Sequence, residues 1–250
     1  MPYGLYISAE GALAQSRRLE TLSNNIANVD TPGFKRDLAV FQARYAEATQ
    51  QGIDYPGSRS INDLSGGVLV KETKTDFSPG SLRRTDIPTD IAINGDGFFL
   101  VQKGDQKLLT RAGNFQLTGA GALVTQDGRA VLSDNGTPIT IDPEGGPWRV
   151  NPQGGIEQAG DVTLLAMVKP KSLGDLVKAG ENQFSSLAAT EPVPPEERQV
   201  SGGFLELSGA KPTLEMMDLI EASRCFEANT NMIKSQDQMM SGLVNRLLKA

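Results

Sequence analysis

The chain has 250 residues, long enough for a real core in one domain or two, and carries 24 Lys plus Arg against 30 Asp plus Glu for a net charge of −6. That balance argues against a nucleic-acid partner held by phosphate neutralisation. Histidine is absent and Cys225 is the only cysteine, which removes His-based triads, most transition-metal sites, intrachain disulfides and CxxC redox pairs. 

The N-terminus, "MPYGLYISAEGALAQSRRLE", lacks a basic stretch followed by a continuous apolar one, so no cleavable secretory signal is expected. No segment approaches the ~20 apolar residues of a membrane span, so no membrane insertion is expected either. From Leu5 to Ile26 the positions Leu5, Ala9, Ala12, Ser16, Leu19, Ser23 and Ile26 alternate steps of four and three, widened by Leu13, Leu22 and Val29. This coiled-coil-like stripe predicts a helix over Leu5 to Asn28, roughly 36 Å long at about 1.5 Å per residue.

The end of that helix is polar. "SNNIANVDTPGF" places Asn24, Asn25 and Asn28 where amides together sacrifice about 1–2 kcal/mol of helix propensity. They can fix register against neighbouring backbones, or they can simply mark a frayed cap. Thr31-Pro32-Gly33-Phe34 then fits a type II turn, with Pro presetting φ and Gly supplying positive φ, and serves as the predicted junction out of the helix.

The middle of the chain reads as antiparallel β. From Gly80 to Gly160 lie 14 of the 27 glycines, punctuating β-rich runs at 91–93, 98–102, 108–111, 114–117, 123–125, 130–132, 139–141 and 148–150. Asn94-Gly95, Asp96-Gly97, Asp127-Gly128 and Asn135-Gly136 supply hairpin turn signals between them. Residues 162–168 predict a further strand, and the Pro-rich run 189–199 an exposed loop.

The C-terminal segment predicts a longer helix after Pro212, with Thr213 as N-cap, acidic Glu215 and Asp218 near its start, and Arg246 and Lys249 in its last turn. Its heptad runs Met216, Leu219, Ser223, Phe226, Thr230, Ile233, Asp237, Met240, Val244 and Leu247, flanked by Ile220, Met232, Met239 and Leu243. The methionines suit a packing face, or a surface that meets non-identical neighbours. Cys225 fits either a small buried hydrophobe or an intermolecular bridge.

Catalytic and ligand motifs are missing. Asn94 to Phe99 would need carboxylates at Ala92 and Lys103 to form an EF-hand, so a hairpin turn is expected instead. "GAGAL" at 119–123 lacks phosphate-loop spacing, and the Glu196-Glu197 pair falls in the Pro-rich loop on a solvated face. No cofactor, metal or enzymatic activity is expected.

Four runs together resemble the bacterial flagellar basal-body rod family: "LSNNIANVDTPGFKR" at 22–36, "SPGSLRRTDIPTDIAINGDGFFLV" at 78–101, "TRAGNFQLTGAGALVTQDGRAVL" at 110–132 and "EMMDLIEASRCFEANTNMIKSQDQMM" at 215–240. Within the family, Lys211-Pro212 and Phe226-Glu227 resemble the proximal rod subunit, while "FKRDLAVF" at 34–41 is reminiscent of the distal one. The resemblance implies a structural subunit of the rod, the tubular drive shaft that links motor to hook, with terminal helices in the tube wall and a β domain outside. It implies copies of itself and other axial proteins as partners, localisation in the flagellum basal body, and passage through the flagellar type III export apparatus without a cleaved signal. A distal rod or hook-type subunit, or a secreted β-domain adhesin, stays as the alternative.

The expected fold class is therefore α+β: terminal helical segments 1–36 and 208–250, a connecting segment 37–66, and a β-rich domain 67–207 containing the loop 189–199. The expected assembly interface comprises Leu5, Ala12, Leu19, Leu22, Asn24, Asn25, Ile26, Asn28, Leu219, Ile220, Phe226, Ile233, Met240 and Leu247. Isolated helices of this length are marginal in water, so both termini are expected to be labile in a free monomer.

Overall fold

The computed structural model describes residues 3–45, 49, 51–55, 57–58, 66–104 and 106–247. Lys249, expected in the last turn of the C-terminal helix, lies outside them. The class is α+β: among the described residues, helix α1 (Tyr3–Ala27) and helix α2 (Pro212–Leu247) flank eighteen short strands in sequence. Contacts group the chain into two units. One comprises Met1–Ala27, Asp37–Asp76 and Lys211–Ala250; the other comprises Asn28–Arg36 and Phe77–Ala210.

In the helical unit, α1 runs antiparallel to α2. Arg18 reaches Asp218 and Glu221 at 3.6 Å each, and Gly4 and Gly11 lie against Gln236 and Asn229. Residues 37–66, expected as a connecting segment, begin with strand β1 (Asp37–Ala43), which pairs antiparallel with β2 (Val68–Thr75) through a bulge at Val40/Phe41. Arg44 ties this hairpin to α1, its guanidinium donating to the Tyr6 hydroxyl and to Glu10 Oε1 at 3.4 Å.

The β unit contains the main core. Strands β3 (Leu82–Arg84), β4 (Ile91–Ile93), β5 (Phe98–Lys103), β6 (Gln106–Thr110), β7 (Gln116–Leu117), β8 (Leu123–Val124) and β9 (Ala130–Val131) come first. Then follow β10 (Trp148–Val150), β11 (Gly155–Gln158), β12 (Asp161–Leu164), β13 (Met167–Pro170), β14 (Leu176–Gly180) and β15 (Gln183–Ser186). β16 (Thr190–Pro192), β17 (Val200–Gly202) and β18 (Phe204–Glu206) complete it. The largest sheet orders β14-β15-β6-β5-β9-β8-β7, with β13 joining β5 to β16. β5 shows why one strand serves two cores: successive side chains alternate faces, so Phe99 and Val101 enter the larger cluster while Phe98 enters a smaller one with Leu109, Val168, Leu176 and Phe184.

Several local expectations change. Ile139 and Ile141 are buried core residues, but the run 139–141 makes only an isolated bridge through Thr140. The expected strand 162–168 divides into β12 and β13 at Leu165–Ala166. Asn94 to Gly97 turn the chain between β4 and β5, yet β4 pairs with β17, so this is not a hairpin. The run 189–199 is partly ordered by pairing: β16 lies on β13, and Arg198 is buried, clamped by both Asp134 oxygens at 2.8 and 3.0 Å. α2 begins at Pro212, whose missing N–H is harmless at a first helical position, so Thr213 stands inside the first turn rather than capping it.

Candidate assembly interface

The in-chain seam between the helices differs in phase from the hydrophobic heptads. On α1 the stripe toward α2 is Gly4, Ser8, Gly11, Gln15, Arg18, Leu22 and Asn25; on α2 it is Glu215, Leu219, Ala222, Phe226, Asn229, Ile233 and Gln236. Leu219, Phe226 and Ile233 keep their expected positions. Met216, Ser223, Thr230 and Asp237 give way to the residue immediately before each, and the whole α1 stripe moves by one in the same direction.

Small side chains and amides explain the shift. A Cβ on Gly11 would come within 3.0 Å of Asn229 Oδ1, and one on Gly4 within 3.0 Å of Gln236 Nε2, so a side chain at either position would have to displace these amides. The paired groups in this seam fix its register, because a slip would part Asn25 from Glu215 and Arg18 from Asp218 and Glu221.

Asn25 is the clearest case. Only 1 % exposed, it donates from Nδ2 to the Asp37 carbonyl at 2.9 Å and to Glu215 Oε2 at 3.1 Å, and its Oδ1 accepts from Asp37 N at 2.9 Å. One side chain thus joins α1, β1 and the first turn of α2. Its neighbours behave differently. Asn24 is exposed, and Asn28 is half-buried in the turn beyond α1, where its carbonyl accepts from Thr31 N at 3.2 Å.

The other expected interface residues fall into three groups. Ala12 and Leu22 are buried within the helical unit, while Leu5, Leu19, Ile26, Leu219, Phe226 and Ile233 are half-buried. Ile220 and Met240 are exposed. The Leu247 side chain lies outside the described residues. Most telling is how little apolar surface the unit hides from solvent: its described buried apolar side chains are Ala12, Ala14, Leu22 and Ala222. Leu13, Leu214, Met216, Met217, Ile220, Met232, Met239, Leu243 and Val244 all remain exposed.

The junction turn is built into the β unit. Phe34 N donates to Thr31 O at 3.3 Å and Gly33 has φ of +65°, as the third residue of a type II turn requires. Gly33 N donates to the Glu206 carbonyl at 2.7 Å, and Gly209 N donates to Phe34 O at 2.8 Å. Beneath them Lys35 and Glu206, each about 1 % exposed, pair at 2.6 Å. Glu206 Oε1 also accepts from Gly80 N at 2.8 Å, and its Oε2 lies 3.5 Å from Arg111. Burial pushes the Arg111 guanidinium down from its ordinary pKa, against the opposing pull of Glu206 and Asp96. Lys35, Arg111 and Glu206 anchor the turn. Among the described residues no group of three or more Cys, Asp or Glu side chains could hold a metal ion.

Known proteins match along the chain. Family models described as flagella basal body rod protein, flagellar hook protein FlgE/F/G D1 domain and flagellar basal body rod FlgEFG protein C-terminal cover residues 5–35, 92–162 and 201–247. The flagellar basal-body rod protein FlgF of Caulobacter vibrioides is 32 % identical over 252 residues, spanning 100 % of this chain and 99 % of the relative. FlgG proteins of Buchnera aphidicola and Bacillus subtilis are 32 % and 30 % identical, each over 96 % of this chain and 97 % of their own length. The chain therefore belongs to the flagellar basal-body rod proteins, a structural rather than an enzymatic family.

Proposed function

We propose that this chain is a building block of the rod that polymerises through α1 and α2, with copies of itself and other axial proteins, into the shaft that links motor to hook. One observation carries the reading: among the described residues the helical unit buries three alanines and one leucine, while ten leucine, isoleucine, valine and methionine side chains of α1 and α2 stay exposed. Burying a single Leu- or Met-sized side chain contributes about 1.5–3 kcal/mol, so assembly recovers stability that the isolated unit lacks. The β unit, by contrast, has two buried apolar clusters of its own.

A subunit with ends ordered mainly by neighbours suits transport before assembly, which favours delivery by the flagellar type III export apparatus without a cleaved signal. Lys211-Pro212 at the start of α2 and Phe226-Glu227 within it favour a proximal over a distal position in the rod.

The test is deletion of residues 1–27, which removes α1 but leaves Asn28 and the junction turn with the β unit. The deletion variant should retain the folded fluorescence of Trp148, the only tryptophan, and be absent from isolated basal bodies. Its normal incorporation would overturn the proposal.

A further inference from the structure

α2 is longer than the seam it forms. Gln236 lies against Gly4 near the start of α1, and α2 then continues to Leu247. Carried on by the same steps of four and three, the stripe that faces α1 reaches Met240 and Leu243, flanked by Met239 and Val244. All four are exposed. Within the chain the α2 side of the seam intersperses the half-buried Leu219, Phe226 and Ile233 with Glu215, Ala222, Asn229 and Gln236, whereas its extension is wholly apolar. This tip is thus continuous with an existing helix-helix interface and, among the described residues, stays exposed.

A second apolar patch lies at the base of α2. Met216 and Met217 are 53 % and 63 % exposed and Ile220 is 52 % exposed, spaced three and four apart so that they share one face. That face points away from the seam formed by Glu215, Leu219 and Ala222. Tip and base are separated by about 35 Å along α2 and lie on opposite sides of it. Their charges differ as well: residues 214–221 carry Glu215, Asp218 and Glu221 with no basic residue, and residues 238–247 carry Arg246 with no acidic one.

We infer that the α2 tip of one copy, at Met240 and Leu243, docks on the α2 base of a second copy, at Met216, Met217 and Ile220. The inference rests on the rod-subunit reading and specifies its partner surfaces. Because the two patches face opposite directions, one partner cannot cover both, so the contact is heterologous. Each copy keeps a free tip and a free base, which extends a chain of subunits rather than closing a dimer.

The test uses full-length protein in which Cys225, half-buried on α2, is replaced by Ser. Met217→Cys and Leu243→Cys are introduced together or singly, and basal bodies are isolated and mildly oxidised. The double variant should give a non-reducing ladder of dimers, trimers and longer species, while each single variant stays monomeric. Normal incorporation with no ladder, or with a dimer band alone, overturns the tip-to-base contact and leaves the rod reading standing. Absence of the wild-type chain from basal bodies overturns both. As a second measurement, Leu243→Glu and Met217→Glu should each lower incorporation by about tenfold or more, because each buries a charge in the contact. Unchanged helical circular dichroism would show that each variant still folds, and incorporation like that of the wild type by both would again overturn the contact.

Discussion

The Asn25 amide on α1 donates to the Glu215 carboxylate on α2 across 190 residues of sequence, at 3.1 Å and out of solvent. The same amide pairs twice with the Asp37 backbone at the start of β1. Replacing Asn25 with Ala removes these bonds inside a closed site and should destabilise the helical unit by about 1–3 kcal/mol. Asn24→Ala, at an exposed position, should stay within about 0.5 kcal/mol of wild type. Urea unfolding followed by circular dichroism would separate the two, and equal effects would contradict the assignment.

The Lys35–Glu206 pair should matter to the β unit. Breaking a buried ion pair from one side costs about 3–5 kcal/mol, because the remaining charge is stranded. Glu206→Gln leaves both Lys35 and Arg111 without their carboxylate, whereas Lys35→Met leaves Glu206 beside Arg111. Both should lower the Trp148 unfolding transition, Glu206→Gln by more.

Gly33 has two independent reasons to be glycine. Its φ of +65° costs other L-residues about 1–2 kcal/mol, and a Cβ there would meet the Arg111 carbonyl carbon at 2.5 Å. Gly33→Ala should therefore destabilise the β unit by more than the conformational term alone. The same substitution at Gly128, where φ is also positive but no atom lies within 4 Å, should show only that term. Thermal melts of the two variants provide the comparison.

Acid should weaken the β unit through surface carboxylates. The hydrogen bond from Lys169, and then its charge, hold the Asp96 carboxyl below its ordinary pKa, and hydrogen bonds from Arg149 and Asn151 do the same for Glu157. Groups with depressed folded values stabilise above the ordinary carboxylate range, near about 4, and lose that contribution as pH falls through the lower folded values. Asp96→Asn and Glu157→Gln should each flatten part of the acid limb of a melting-temperature profile. Both pairs face solvent, so the change should be small and should shrink in high salt.

Much of this molecule is legible in its sequence, but unevenly. Gly-punctuated runs such as Ile91–Ile93 and Trp148–Val150 are strands because local β propensity and pairing agree, with distant β17 for the first and adjacent β11 for the second. Two-residue strands such as β7 depend on partners that sequence periodicity does not show. Both terminal helices display their heptad period, yet the in-chain seam runs one residue earlier along α1 and, on α2, keeps Leu219, Phe226 and Ile233 while shifting the alternate positions. The in-chain seam is chosen by Gly4, Gly11, Asn229 and Gln236, which recur at intervals of seven but carry no apolar signal. Many of the large apolar residues that dominate the pattern instead point outward. The crowded amides resolve into three situations: Asn25 buried, Asn28 in the turn, and Asn24 exposed. Lys35 is hardest to foresee, since lysine is almost never buried unless paired and its partner is 171 residues away.

In the rod, the apolar surface left open on α2 should be buried by neighbouring subunits. Methionine oxidation reads this directly, because Met216, Met217, Met232, Met239 and Met240 are all exposed on α2 in the single chain. Peroxide footprinting by mass spectrometry, on free protein and on isolated basal bodies, should find these methionines oxidised in the first and protected in the second. Equal oxidation in both, with the protein demonstrably present in the basal bodies, would contradict the account.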